Sequence, residues 1–117
     1  MIPENPTYIR LEKVGNQRTG CSALDIGYWV KGKLIQKIEI GKMIMLERYI
    51  RNGEKVLGLF RTSTVKDIEK TIDGGLFIRT LNSDYRLEFL NEKEFLKEIE
   101  DITIFSEFPK ENKNELN

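Results

Sequence analysis

The sequence contains no histidine. Histidine is the usual general base at neutral pH, the commonest metal ligand and a member of every His-based catalytic triad. Its absence argues against an ordinary hydrolase, although chemistry by carboxylates, lysine or tyrosine stays open. We therefore expect a protein that is not an enzyme, with no catalytic residue and no cofactor.

Cysteine is almost as scarce, because Cys21 is the only thiol in 117 residues. One thiol makes no internal disulfide and no cysteine cluster for zinc. Free cysteines are often buried, which favours a small, partly buried side chain at this position over a reactive thiol. We expect no metal site.

Long apolar runs are also missing. None approaches the roughly 18 residues that a membrane span needs. Residues 1–12 carry Pro3, Glu4 and Pro6 where a signal peptide would have a basic start and an apolar stretch. These absences predict a cytoplasmic protein without a membrane partner.

The residues that are present suffice for one folded domain. Apolar residues make up 39% of the chain and charged residues 32%, and a chain of this length buries one modest core without disulfides or metal. Residues 109–117 are charged and poor in apolar side chains. We predict a single β-rich domain over residues 1–108 and a flexible charged tail over residues 109–117.

Turn signals punctuate residues 43–90. Asn52-Gly53, Asp73-Gly74-Gly75 and Asn82-Ser83 separate runs rich in Val, Ile, Leu, Phe and Thr. Asn-Gly accepts positive φ at both turn positions, which matches the twist of paired strands. The pattern predicts a mainly β fold: a small antiparallel meander sheet or partly open barrel, with one C-terminal helix.

Earlier strands are expected over residues 8–14 and 26–30. In the first, Ile9 and Leu11 alternate with Arg10 and Glu12, as in a half-buried strand. Residues 34–40 fit either another strand or an extended loop.

The turns also predict registers. An Asn52-Gly53 loop places Leu46 opposite Leu59 and leaves apolar groups on both faces of the hairpin, so both faces should be covered, by a barrel interior or a helix. Gly58 indicates a bulge. Loops at residues 73–75 and 82–83 place Glu69 opposite Arg79. They also gather seven residues on one buried face: Ile68, Ile72, Leu76, Ile78, Tyr85, Leu87 and Phe89.

A helix should follow Asn91. Asn91 and Glu94 have the spacing of a capping box, and four apolar residues follow at helical spacing: Phe95, Leu96, Ile99 and Ile102. Residues 103–108 fit a short final strand.

The net charge is zero, but its distribution is uneven. Residues 31–61 hold eight basic and three acidic side chains, 8 − 3 = +5, and residues 66–117 hold eight and thirteen, 8 − 13 = −5. A basic middle suits an anionic partner. The alternative, which we prefer, is that the two parts of one fold neutralise each other.

A basic set around the first hairpin is the candidate binding site, and the predicted register puts Arg48, Lys55 and Arg61 on one face. Tyr49 and nearby Trp29 or Tyr28 would add stacking surfaces, as in small barrels that bind single strands. The alternative, which we prefer, is a solvated face. The candidate binding residues are Lys42, Arg48, Tyr49, Arg51, Lys55 and Arg61.

A second candidate is a hydroxyl-rich patch at one end of the sheet, for which local turn chemistry is the preferred alternative. Its residues are Thr62, Ser63, Thr64, Thr80, Asn82, Ser83 and Tyr85. Asp67 and Glu69 share a strand face, but that face is expected to be solvent-exposed.

The segments Thr62-Ser63-Thr64-Val65 and Thr80-Leu81-Asn82-Ser83-Asp84-Tyr85 resemble a Thr-Ser-x-Val and Thr-x-Asn-Ser-x-Tyr pair found in small, largely uncharacterised proteins of bacterial phages and mobile elements. The resemblance covers roughly residues 31–90 and brings no catalytic residue with it. It implies a context in which accessory proteins bind and block host machinery, including CRISPR nucleases.

These observations favour a non-enzymatic binding protein whose partner is a host protein or ribonucleoprotein complex. The resemblance points to an inhibitor of a host defence protein such as a CRISPR nuclease. The alternative is a small nucleic-acid-binding barrel that uses the basic hairpin face. An enzyme acting through Asp67, Glu69 or Tyr85 is the least favoured hypothesis.

Overall fold

The computed structural model describes residues 6–17 and 24–102. This part of the chain forms β1 (Tyr8–Asn16), β2 (Trp29–Leu34), β3 (Met43–Arg51), β4 (Glu54–Lys70), β5 (Leu76–Thr80) and β6 (Ser83–Phe89). One helix, α1, spans residues 92–102. Cys21, the expected strand over residues 103–108 and the expected tail over residues 109–117 lie outside the described residues.

Each strand pairs antiparallel with the next, and β6 returns to pair with β1. The sheet is therefore a ring-like meander, although it is not a regular barrel. The predicted fold class, a mainly β meander with one C-terminal helix, is confirmed.

The inside of the ring is the main core. In β1, Ile9 and Leu11 are buried, and Arg10 and Glu12 lie on the other face, where they form a salt bridge of 2.7 Å. This is the alternation that the sequence predicts. The inner cluster consists of Ile9, Leu11, Val30, Ile44, Leu46, Phe60, Val65, Ile78, Tyr85 and Leu87.

Helix α1 packs on the outside of the ring. The Phe95 ring lies 5.1 Å from Tyr8 and 6.0 Å from Tyr49, between ring centroids, and Ile50 completes this outer cluster. Asn91 Oδ1 accepts a hydrogen bond from the Glu94 amide at 3.0 Å, so the predicted helix cap is confirmed. All four apolar residues named in the sequence lie in α1, but Leu96 is 45% exposed and lies outside the outer cluster.

The first hairpin has the predicted turn and bulge. Asn52 and Gly53 have φ of 50° and 91°, and Ile50 pairs with Lys55. An irregularity beside Gly58 then shifts the register by one residue, so that Leu46 lies opposite Phe60. The predicted pairing of Leu46 with Leu59 is wrong for this reason.

The other two turns are displaced from their predicted positions. Lys70 pairs with Leu76, so the second connection spans residues 71–75, and Leu81-Asn82 replaces Asn82-Ser83 as the third loop. From Asp67 onward each register therefore moves by two residues, which preserves the faces of these side chains. The predicted face holds for Ile68, Leu76, Ile78, Tyr85 and Leu87.

Two members of the predicted buried face are exposed. Ile72 falls in the longer turn and is fully exposed, and Phe89, at the end of β6, is 51% exposed. The predicted pair of Glu69 and Arg79 is also wrong, because Arg79 lies opposite Asp67 and forms a 3.5 Å salt bridge with Asp84.

The strand expected over residues 26–30 begins only at Trp29, because Gly27 (φ 99°) lies in a turn. Residues 35–42 take the loop alternative.

Candidate binding surface

Strand β4 has two parts with different neighbours. Glu54 through Thr64 pair with β3, and Val65 through Lys70 pair with β5. Residues 54–61 therefore have a strand neighbour on one side only within the described ranges. We call this stretch the open edge. Its free side exposes backbone amide and carbonyl groups that another strand could pair with.

Alternate side chains of the open edge form one exposed row. Phe60 is buried in the inner cluster, so the residues that alternate with it point outward. Leu57 and Leu59 are 60% and 53% exposed. We call Lys55, Leu57, Leu59 and Arg61, all of which are exposed, the outer row.

The expectation that both faces of this hairpin are covered is wrong on the outer side of β4. Helix α1 packs over Tyr8, Tyr49 and Ile50 of β1 and β3, and neither Leu57 nor Leu59 belongs to that cluster. Two large apolar side chains thus stay in water, side by side on one strand. This pair of neighbouring apolar side chains is therefore a candidate interaction surface.

The predicted basic face is divided by the irregularity in the hairpin. Arg48 lies opposite Gly58, on the same side as Leu46 and Phe60, and its Nε donates a hydrogen bond to the Val56 carbonyl at 2.9 Å. Arg61 lies opposite Met45, on the outer side. The prediction that Arg48 shares a face with Lys55 and Arg61 is therefore wrong.

The other candidate binding residues lie around the same hairpin. Lys42 precedes β3 and forms a 3.1 Å salt bridge with Glu39. Arg51 is exposed at the end of β3, opposite Glu54. The Tyr49 hydroxyl donates a hydrogen bond to Glu47 at 2.6 Å. The pKa of Tyr49 is raised to about 12, mainly by partial burial and secondly by this hydrogen bond.

The aromatic residues expected to stack on bases already contact protein groups. The Trp29 ring lies under the Arg10 guanidinium at 4.7 Å and the Lys31 ammonium at 5.6 Å, both to the ring centroid. Tyr28 stacks on Phe60 with 5.9 Å between centroids. These faces are therefore less available for a nucleotide than the sequence suggests.

The hydroxyl-rich set performs turn chemistry, as the preferred alternative predicts. Thr80 Oγ1 accepts from the Ser83 amide at 3.0 Å and donates to the Ser83 carbonyl at 2.8 Å. Ser63 Oγ donates to Thr80 Oγ1 at 2.9 Å and accepts from the Asn82 amide at 3.1 Å. These side chains connect β4 to the third turn. Burial is the main cause that raises the pKa of Tyr85 above its ordinary value.

Sequence reasoning missed Lys13. Its side chain is fully buried, and its Nζ donates a hydrogen bond to the Leu24 carbonyl at 2.6 Å. Burial lowers the pKa of Lys13, and the nearby Asp25 carboxylate partly opposes this. The alternation of β1 could have identified Lys13 as a buried residue, since position 13 follows Ile9 and Leu11 on the inner face.

Lys13 also holds the described part of the loop that precedes β2. The Lys13 amide donates to the Tyr28 carbonyl, and the Gly27 amide donates to the Lys13 carbonyl, both at 2.8 Å. An open cleft of about 480 Å³ lies over this loop, lined by Leu24, Asp25, Ile26, Gly27, Tyr28 and Asn52.

No protein-family model, curated protein or solved structure matches the chain. The resemblance to phage and mobile-element proteins therefore stays a prediction. Across residues 6–17 and 24–102, no helix has the length and apolar content to cross a membrane. In the same ranges, His, Cys, Asp and Glu side chains form no group of three that could hold a metal ion.

Proposed function

We propose that this chain is a non-enzymatic binding protein that holds a partner on the open edge of β4. The supporting observation is the exposure of Leu57 and Leu59, at 60% and 53%. Both lie on the open edge, which has a strand neighbour on one side only in the described ranges. The two leucines are flanked by Lys55 and Arg61. An apolar centre with a charged rim is the usual anatomy of a protein interface.

The apolar part of this surface is large enough to matter for affinity. Fully burying one leucine side chain stabilises by about 1.5–3 kcal/mol. Since each leucine is already about half buried, covering both contributes about 1.5–3 kcal/mol in total. That corresponds to roughly a tenfold to hundredfold gain in affinity.

Affinity purification from a bacterial lysate tests this proposal, with nuclease treatment to remove partners held only through nucleic acid. The wild-type chain is compared with the double variant Leu57→Ser, Leu59→Ser. Ile72→Ser serves as the control, because Ile72 is a fully exposed apolar residue outside the open edge. We expect the double variant to capture at least tenfold less partner than the wild type. The Ile72→Ser control should capture as much partner as the wild type. Equal capture by the wild type and both variants would refute the assignment of this surface.

The partner class follows from the sequence resemblance alone. On that basis we propose a host protein or ribonucleoprotein complex, such as a defence nuclease. Mass spectrometry of the protein lost in the double variant identifies it. A metabolic or structural protein in that position would contradict the defence role while leaving the binding surface intact.

Nucleic-acid binding is the alternative function. Arg51, Lys55 and Arg61 are exposed on the hairpin, and none of them forms a salt bridge with another described residue. This function predicts an affinity for single-stranded RNA or DNA that falls steeply with salt, because phosphate contacts release counterions. The division of Arg48 from Arg61 and the occupied aromatic faces make it the weaker proposal.

A further inference from the structure

We propose that the partner segment is an extended acidic peptide that adds to residues 54–61 as a further β-strand. This inference rests on the proposed function and specifies its chemistry. It is carried by the juxtaposition of two features: a strand side that has no strand neighbour among the described residues, and a row of two leucines between two basic residues.

The middle of the open edge carries fewer charges than the other stretch of β4 that has a single strand neighbour. Residues 65–70 also have one strand neighbour, β5, within the described ranges, and four of these six residues are charged. Such charges discourage pairing with another chain. On the open edge, by contrast, the four residues from Val56 to Leu59 carry no charge. The two stretches of β4 thus differ in charge, and the uncharged one lies at Val56 to Leu59.

The outer row defines the side chains that a partner strand should carry. Along β4, every second residue belongs to this row, in the order basic residue, leucine, leucine, basic residue. Side chains directly opposite each other on paired strands interact, and opposite charges there are favourable. The complementary strand therefore has an acid, two apolar residues and an acid at alternate positions. Because the row has the same pattern in both directions, the strand matches it in either orientation.

The inner side of the same stretch is also positive. Arg48 Nη2 lies 3.1 Å from the position that a Cβ on Gly58 would occupy, so the guanidinium is directly under the open edge. Glu54, at the turn, is the only acidic residue among residues 54–61. A strand added here therefore has cationic groups on both of its faces, which favours an acidic segment.

A second copy of this chain fits the open edge less well. Antiparallel pairing of two open edges that places Leu57 opposite Leu59 also places Lys55 opposite Arg61, twice in a symmetric dimer. Like charges directly opposite each other are destabilising. Moving the register to avoid this places a base opposite a leucine. Charge thus selects against self-pairing.

Titration of the ¹⁵N-labelled full chain with synthetic peptides tests the inference. The probe is Glu-Thr-Val-Thr-Val-Thr-Glu with blocked ends, and the comparison peptide carries Lys in place of both Glu. We expect amide shifts at residues 54–61 and their β3 neighbours, with the acidic peptide binding at least tenfold more tightly than the basic one.

Charge reversal should exchange this preference. The variant Lys55→Glu, Arg61→Glu should bind the basic peptide more tightly than the acidic one. The variant Lys66→Glu, Lys70→Glu makes the same charge change on the same strand, outside the open edge, and should keep the wild-type preference. An unchanged preference in the first variant, or an equal reversal in both, overturns the proposal.

Backbone methylation distinguishes strand addition from general charge attraction. Successive amides of a strand point to opposite edges, so N-methylation of the probe at its threonines and at its valines blocks different edges. We expect one set to abolish binding and the other to be tolerated. Equal binding by both peptides would refute strand addition.

Three further outcomes overturn the inference about the acidic strand without refuting the proposed binding function. One is the absence of shifts at millimolar peptide, and another is their location away from residues 54–61. The third is a concentration-dependent dimer in sedimentation that shifts the same amides without peptide, which would assign the edge to a second copy. If a captured partner still requires Leu57 and Leu59 in any of these cases, the binding function stands and the acidic strand does not.

Discussion

Arg48 lies directly opposite Gly58, and its guanidinium occupies the space that a side chain at position 58 would need. Gly58 has a φ of 149°, which L-residues rarely adopt, and its absent Cβ would lie 3.1 Å from Arg48 Nη2. The register shift between Arg48 and Ile50 leaves Arg48 on the inner side with Leu46, while Arg61 lies on the outer side opposite Met45. The basic residues therefore divide between two faces.

Gly58→Ala should destabilise the fold by about 1–3 kcal/mol, the usual cost of a non-glycine residue held in such a conformation. Urea unfolding measures this. Arg48→Ala serves as the second variant, because the double variant Arg48→Ala, Gly58→Ala removes the contact and keeps the backbone strain. A loss of stability that disappears in the double variant would show that the contact, and not φ, is responsible.

Lys13→Met should change how stability depends on pH. Burial lowers the pKa of Lys13 in the folded state below its ordinary value of 10.5, so the unfolded chain binds more protons between these two values. Lys13 therefore disfavours folding at neutral pH, and this penalty is relieved as the pH rises toward 10.5.

Urea unfolding of the wild type and Lys13→Met between pH 7 and pH 10.5 measures this effect. The wild type should gain stability relative to the variant as the pH rises. The comparison isolates Lys13, because burial raises the pKa of Tyr8, Tyr49 and Tyr85 in both proteins alike. A difference that is constant with pH would contradict the lowered pKa.

Asn91→Ala should weaken α1 at its first turn. The Asn91 side chain accepts from the Glu94 amide at 3.0 Å, and loss of such a cap costs about 1 kcal/mol. Asn91→Asp keeps an acceptor at the same place and should retain most of the stability. Chemical unfolding of the three proteins is the measurement, and equal losses for alanine and aspartate would show that the cap contributes nothing.

The fold class was predictable because its signals are local. Asn52-Gly53 specifies its own turn, and Asn91 with Glu94 specifies the start of α1. The register after the second turn was not predictable in the same way. Thr71 and Asp73 side chains both accept from the Gly75 amide, which extends that turn to residues 71–75 and leaves Ile72 in water.

The candidate site was predictable only in part. The sequence indicates that the first hairpin is apolar on both faces and basic around its rim, and Lys55 and Arg61 were singled out. It does not indicate that α1, which begins about thirty residues later, packs over Tyr8, Tyr49 and Ile50 and leaves Leu57 and Leu59 uncovered. That outcome depends on tertiary packing, which no local pattern carries.

The open edge should be visible in amide hydrogen exchange. In a strand with one neighbour, every second amide points away from the ladder and lacks a backbone acceptor. On each side of the irregularity between Lys55 and Gly58, we therefore expect alternate amides of residues 54–61 to exchange rapidly, while the amides bonded to β3 are protected. Amides of β1 that lie between β2 and β6 provide the control, because they have neighbours on both sides and should be protected without alternation.

NMR-detected exchange on the full chain gives this pattern residue by residue. The expected pattern persists in Leu57→Ser, Leu59→Ser, since side-chain truncation leaves the backbone edge unchanged. Uniform protection across residues 54–61 would mean that another part of this chain, or a second copy, already pairs with β4. Dilution separates those two cases, because protection by a second copy decreases with protein concentration and protection within one chain does not.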